Sequence, residues 1–208
     1  AFLQAIEGDA YEIELFVDAF TGLRQGELLG LTWDCVDFEH QTLLINKQHN
    51  RAKGEKEFHF SSLKTEKVRS LTVTDEVMDA LRKQQRRQAA WKAAAGALWS
   101  NPDNLVFTTE LGRYVNNKTL YMNFKRVMRS LGLSELRFHD LRHTFAVNSL
   151  KAGDDIKTVQ ENLGHATASF TLSTYAHATP GMKRESANRM GQYLRRIRES
   201  TEAQKSTV

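Results

Sequence analysis

Cys35 is the only cysteine in the chain, so no disulfide can form within it and no four-cysteine zinc site can be built, which fits a reducing cytosol. No stretch approaches the roughly 18 apolar residues of a membrane-spanning helix. The opening AFLQAIEGDA lacks the charged-then-apolar pattern of a secretory signal, and its abrupt start is the one expected of an excised domain. Internal repeats and low-complexity linkers are lacking as well. What remains is 208 residues, 40% hydrophobic and 26% charged, enough for one well-buried core with a small appendage.

The net charge is only +4, and a pI near 9.2 permits nucleic-acid binding without requiring it. The distribution says more. Arg184, Arg189, Arg195, Arg196 and Arg198 enrich the C-terminus in arginine, and Lys47, Arg51, Lys53, Lys56, Lys64 and Lys67 crowd one segment. Solvated surface explains each cluster about as well as a nucleic-acid contact does.

Periodicity predicts an α+β fold, mainly α-helical with a small three-stranded antiparallel sheet. Ile13, Phe16, Val17 and Phe20 recur at helical spacing from Glu12 to Phe20. Thr21-Gly22 breaks this helix before a second short one through Glu27 and Leu28, which places Arg24 at a helix entry. Strand signals follow at Val36 and Phe38, Leu43 and Ile45, Phe58 and Phe60, and Val68, Leu71 and Val73, with turns at His40-Gln41 and Lys64-Thr65-Glu66. Helices are predicted from a Thr74 or Asp75 cap toward Trp91, over Asn116 to Leu131, over His139 to Leu150, after an Asp154 or Asp155 cap, and over Thr167 to Tyr175. An arginine-rich helix is predicted from Pro180 to about Ser200, followed by a disordered tail.

The chemistry concentrates in five residues: Arg24, His139, Arg142, His165 and Tyr175. A guanidinium holds phosphate in a two-pronged fork and stays charged at any working pH. His139 and Arg142, three apart on a helix, share a face and can address one phosphate. His165 follows a helix-ending glycine, where an imidazole can be presented into a cleft. Tyr175 is one of five tyrosines, and spacing alone does not separate it from Tyr193.

Read in order, TGLRQGELLGL, SSLKTEKVRSLTV, HDLRHTFA, ENLGHA and STYAH resemble the catalytic domain of the tyrosine recombinases, the phage integrase family, and in particular integrases of conjugative transposons. The resemblance runs from about Asp9 to Tyr175. It implies a site-specific DNA recombinase that integrates and excises a mobile element through a 3′-phosphotyrosine intermediate, with Tyr175 as nucleophile. Arg24 and Arg142 would neutralise the five-coordinate phosphorus, each well-placed donor contributing about 3 to 4 kcal/mol. His139 is the better-placed proton acceptor, because a phenol of pKa near 10 is protonated at neutral pH. Lys64 would be the general acid on a mobile hairpin, with Lys67 as the alternative. His165 would donate to a nonbridging oxygen, and Glu27 would orient an arginine or histidine.

Lys47, Arg51, Lys53, Lys67 and Arg69 are the expected DNA contacts. No metal and no cofactor is implied, because the phosphotyrosine ester conserves the energy of the broken bond. Expected partners are double-stranded DNA at element ends and target, three further copies forming a tetramer, and an accessory directionality factor; no membrane is involved, and the setting is the bacterial cytoplasm and nucleoid. The expected organisation is a catalytic domain over residues 1–180, a helix over 181–200 docking on a neighbouring subunit through Met190, Leu194 and Ile197, and a tail over 201–208. The family's N-terminal DNA-binding domain is not in this chain. Two rivals stand beside this reading. A metal-dependent hydrolase would use His139 and His143 with Asp140 or His165, although HDLRH lacks the glutamate of HExxH and puts Arg142 where it repels a cation. A noncatalytic DNA-binding regulator on the same scaffold would be expected to have lost an arginine or the tyrosine, and all are present.

Overall fold

The computed structural model describes residues 1–50, 59–62, 68–164, 184 and 187–197. The expected Lys64-Thr65-Glu66 turn, the helix over Thr167 to Tyr175 and the tail over 201–208 lie outside them. The chain divides into two units, Ala1–Ala168 and Ser169–Val208. No helix among the described residues is long and apolar enough to cross a membrane.

The first unit opens with α1 (Phe2–Ile6), α2 (Glu12–Thr21) and α3 (Gln25–Leu29). The strands β1 (Val36–Asp37), β2 (Thr42–Ile45), β3 (Lys47–Asn50), β4 (His59–Ser62) and β5 (Arg69–Thr72) follow. Four further helices complete it: α4 (Asp75–Ala95), α5 (Asn117–Ser130), α6 (His139–Ala152) and α7 (Ile156–Leu163). The antiparallel sheet runs in the order β1-β2-β5, with Leu43 opposite Leu71 and Ile45 opposite Arg69. Strand alternation sends Leu43, Ile45, Arg69 and Leu71 inward and Leu44, Ser70 and Thr72 outward. Of the segment read as a strand around Phe58 and Phe60, Phe58 lies outside the described residues, and β4, which begins at His59, does not join this sheet. β4 pairs instead with β3 in a separate two-stranded ladder, and β3 escapes a pattern reading because Lys47, Gln48, His49 and Asn50 are all polar.

Helix α2 carries the core. Ile13, Leu15 and Val17 are buried with Leu43, Ile45 and Leu71 of the sheet, Val77, Met78 and Leu81 of α4, and Leu120, Phe124 and Val127 of α5. Because α2 packs against both α4 and α6, its buried surface is wider than one apolar stripe. Glu14 and Asp18 turn inward while Phe20, expected in the stripe, is 44% exposed. The helix ends where expected, at Gly22 with φ of 62°. A Cβ there would lie 2.6 Å from Cδ1 of Phe145 on α6, so both the left-handed backbone and the close helix packing require glycine. Asp155 caps α7 by accepting the Thr158 N–H at 2.9 Å.

In the second unit residues 187–197 are helical, with Met190, Tyr193, Leu194 and Ile197 all at least 43% exposed.

Candidate active site

Arg24 is the residue before the first turn of α3, in extended backbone conformation. Glu27, at the third position of that helix, accepts the Arg24 backbone N–H at 2.9 Å and so satisfies a donor the helix start would leave open. The same carboxylate accepts Nη1 of Arg24 at 3.0 Å. It also takes both prongs of Arg69, Nη1 at 2.9 Å and Nη2 at 2.7 Å, and Nη1 of Arg142 lies 4.0 Å away. Three arginines from α3, β5 and α6 thus converge on one buried acid. Burial works against the charge on Glu27, but the hydrogen bonds and charge of Arg69, followed by Arg24, outweigh it and hold the carboxyl below its usual range.

Arg142 is 1% exposed. Its Nη1 donates to the carbonyl of Gly22 at 2.8 Å and its Nη2 to the carbonyl of Leu163 at 2.5 Å. These carbonyls close the C-terminal ends of α2 and α7, where unpaired oxygens and the helix dipole favour a cation. Nε of Arg69 donates to the next such oxygen, Asn162, at 2.8 Å. Gly164 makes this approach possible. Its φ is 67°, and a Cβ would sit 2.8 Å from Nη1 of Arg69.

Arg24 and His139 line one groove of about 470 Å³ together with Gln25, Gln48, Asn117, Tyr121 and Arg137. His139, at the first turn of α6, lies edge-on to His143 with centroids 4.9 Å apart. Partial loss of water lowers its pKa, the neighbouring His143, Arg142 and Arg24 lower it further, and Asp140 opposes them. These surroundings disfavour the imidazolium form of His139. Asp140 is committed elsewhere, accepting the Arg137 backbone N–H at 2.7 Å and its guanidinium at 3.0 Å. Among the described residues no three His, Cys, Asp or Glu side chains converge as a metal site.

The sequence-predicted residues divide accordingly. Arg24, Glu27, His139 and Arg142 come together. Lys64, His165 and Tyr175, and the expected DNA contacts Arg51, Lys53 and Lys67, lie outside the described residues. Lys47 opens β3 and is half-buried. Arg69, expected among the DNA contacts, is 8% exposed with its guanidinium turned onto Glu27 and Asn162, so its place is under the site and not on its surface. The period-two signal was available: Arg69, Leu71 and Val73 share one strand face, and that face is buried. Gln48, Asn117, Tyr121 and Arg137 carry no such signal, since distant elements bring them to the groove.

The phage integrase family model matches residues 6–182. A tyrosine recombinase XerC-like protein of Caldanaerobacter subterraneus is 34% identical over 180 residues, 81% of this chain and 46% of that protein. The ICEBs1 integrase of Bacillus subtilis is 25% identical over 93% of this chain and 52% of its own length. The chain thus spans about half the length of the curated relatives it matches. Among solved structures, the Tn1549 transposon integrase in complex with circular intermediate DNA superposes with a TM-score of 0.74 at 26% identity, covering 91% of this chain and 64% of that one. XerA recombinase, at 22% identity and a TM-score of 0.67, shares the fold. By sequence and by architecture, then, the chain belongs to the phage integrase family.

Proposed function

We propose that this chain is the strand-transfer module of a site-specific DNA recombinase, cutting and rejoining duplex DNA at the ends of a mobile element through a 3′-phosphotyrosine at Tyr175. The observation that carries the reading is the gathering of Arg24, Arg69 and Arg142 on Glu27, beside a groove that Arg24 shares with His139, whose imidazolium form is disfavoured.

Tyr175 Oη attacks the scissile phosphorus and passes its proton to His139. Arg24 and Arg142 hold the extra negative charge of the five-coordinate phosphorus, with donors oriented before the reaction begins. His165 donates to a nonbridging oxygen. The bond from phosphorus to the 5′ oxygen breaks, Lys64 protonates that oxygen, and a new 5′ hydroxyl reverses the sequence to release Tyr175. One phosphate ester forms for each that breaks, so no ATP is consumed.

Residues 1–180 form the catalytic domain. The helix that includes residues 187–197 carries its apolar residues to a neighbouring copy, in a tetramer holding two duplexes in the bacterial cytoplasm. Lys47, Arg51, Lys53 and Lys67 contact the phosphate backbone, and an accessory protein sets the direction of exchange. The Tn1549 integrase structures, which hold transposon-end and circular intermediate DNA, support duplex DNA as the substrate.

The test is cleavage of a nicked duplex bearing the element's end, run in EDTA and denatured, with Tyr175→Phe beside the parent. A covalent protein–DNA band that depends on Tyr175 is expected. DNA binding without a band would leave a noncatalytic DNA-binding protein, and strand cleavage that leaves no covalent band and is lost in EDTA would point to a metal-dependent hydrolase.

A further inference from the structure

Three acids are buried among the described residues, and two of them form ion pairs. Glu14 meets Arg87 of α4 at 2.9 Å, and Glu27 meets Arg24 and Arg69. Asp18 is different: it has no exposure, and among the described residues no donor reaches either of its carboxylate oxygens. It sits one turn before Gly22 on α2, and its own carbonyl accepts the Gly22 N–H at 2.9 Å. The Gly22 carbonyl in turn receives Arg142. Asp18 therefore belongs to the short segment that seats Arg142, and a buried carboxylate that no protein donor reaches is unfavourable there.

We infer that Asp18 is a positioning residue for Arg142 that carries a proton in the folded protein, so that its carboxyl supports the Gly22 segment without cancelling the arginine's charge. An ionised Asp18 would oppose the positive charge that Arg142 brings to the site.

The surroundings act in the same direction. Burial pushes the Asp18 carboxyl well above the usual carboxylate range, with the charge of Arg142 opposing and that of Glu27 adding. Among the described residues, Arg142 from α6 and Glu27 from α3 are the charged groups that act on it. The cations α4 presents to α2, Lys83 and Arg87, are engaged by Glu12 and Glu14.

The kinetic half of this inference rests on the recombinase reading; the proton does not. Carbon-13 labelling of aspartate side chains, with Asp18→Asn for assignment, is expected to show one carboxyl resonance at the neutral-acid position at pH 7 that vanishes in the variant. An ionised Asp18 overturns the inference. In single-turnover cleavage, Asp18→Ala is expected to be roughly tenfold slower at unchanged DNA affinity, and Asp18→Asn, uncharged and of the same shape, to recover most of that loss. An alanine variant as fast as the parent, or an asparagine variant as slow as the alanine one at the parent's unfolding midpoint, overturns it. If the alanine variant fails to fold, the resonance and the asparagine variant decide. A parent that forms no covalent complex counts against the recombinase reading, and the resonance still decides the proton.

Discussion

Glu27 holds Arg69 with both carboxylate oxygens, at 2.9 and 2.7 Å, in a pair whose side chains are 0% and 7% exposed. An exposed ion pair of this kind contributes little, but a buried one is costly to break because it strands a charge. The pair also joins β5 to α3, so the strand that follows the β3–β4 ladder in the chain is tied to the helix that Arg24 begins.

Arg69→Ala should therefore cost about 3 kcal/mol of folding stability, the range for removing one partner of a buried pair. The logarithm of DNA affinity should keep its slope against the logarithm of salt concentration, because the Arg69 guanidinium is taken up by Glu27 and the Asn162 carbonyl and faces no phosphate. Urea unfolding and a salt titration of binding check both halves. A salt slope shallower by one phosphate contact would return Arg69 to the DNA surface.

Gly22→Ala should destabilise by more than the roughly 1 kcal/mol of an ordinary left-handed glycine replacement, because the added Cβ also meets Phe145 at 2.6 Å. The same change moves the carbonyl that seats Arg142. Cleavage should fall further than stability alone explains, measured as single-turnover rate at a temperature where both proteins are fully folded.

Much of this was legible in the chain. TGLR and HDLR place two arginines at helix entries, Gly22 and Gly164 announce helix ends, and Asp155 announces a helix start. The rest depends on what packs against what. Phe20 shares helical spacing with Ile13 and Val17 yet turns outward, because α4 and α6 cover the other faces of α2 and bury Glu14 and Asp18 instead. β3 is polar throughout and forms only because β4 returns beside it. The groove lining from Gln48 and Tyr121 is assembled across elements that no local pattern connects.

Arg142→Lys should reduce cleavage by roughly a hundredfold or more, in line with the 3 to 4 kcal/mol of one preorganised donor. A lysine keeps the charge, but a single ammonium cannot span the carbonyls of Gly22 and Leu163 and still face a phosphate in a fixed fork. DNA affinity should change little, since the charge at the scissile phosphate is kept and the residues lining the groove are untouched. Single-turnover cleavage beside an equilibrium binding curve separates the two effects.

The pH dependence of cleavage should report His139. Loss of water and the neighbouring His143, Arg142 and Arg24 disfavour its imidazolium, so its midpoint lies below the ordinary histidine value of about 6.5. Above that midpoint the ring is neutral and can take the nucleophile's proton; below it, the ring is charged and cannot. The rate should rise with pH through a limb centred under 6.5 and be level by neutrality. His139→Gln, which keeps a polar side chain and loses the titration, should lower the plateau by about a hundredfold and flatten that limb. Arg24→Gln removes one of the charges that depress the midpoint, so whatever residual limb it retains should move toward higher pH. A limb unmoved by that change and still present without His139 would assign the proton to another group.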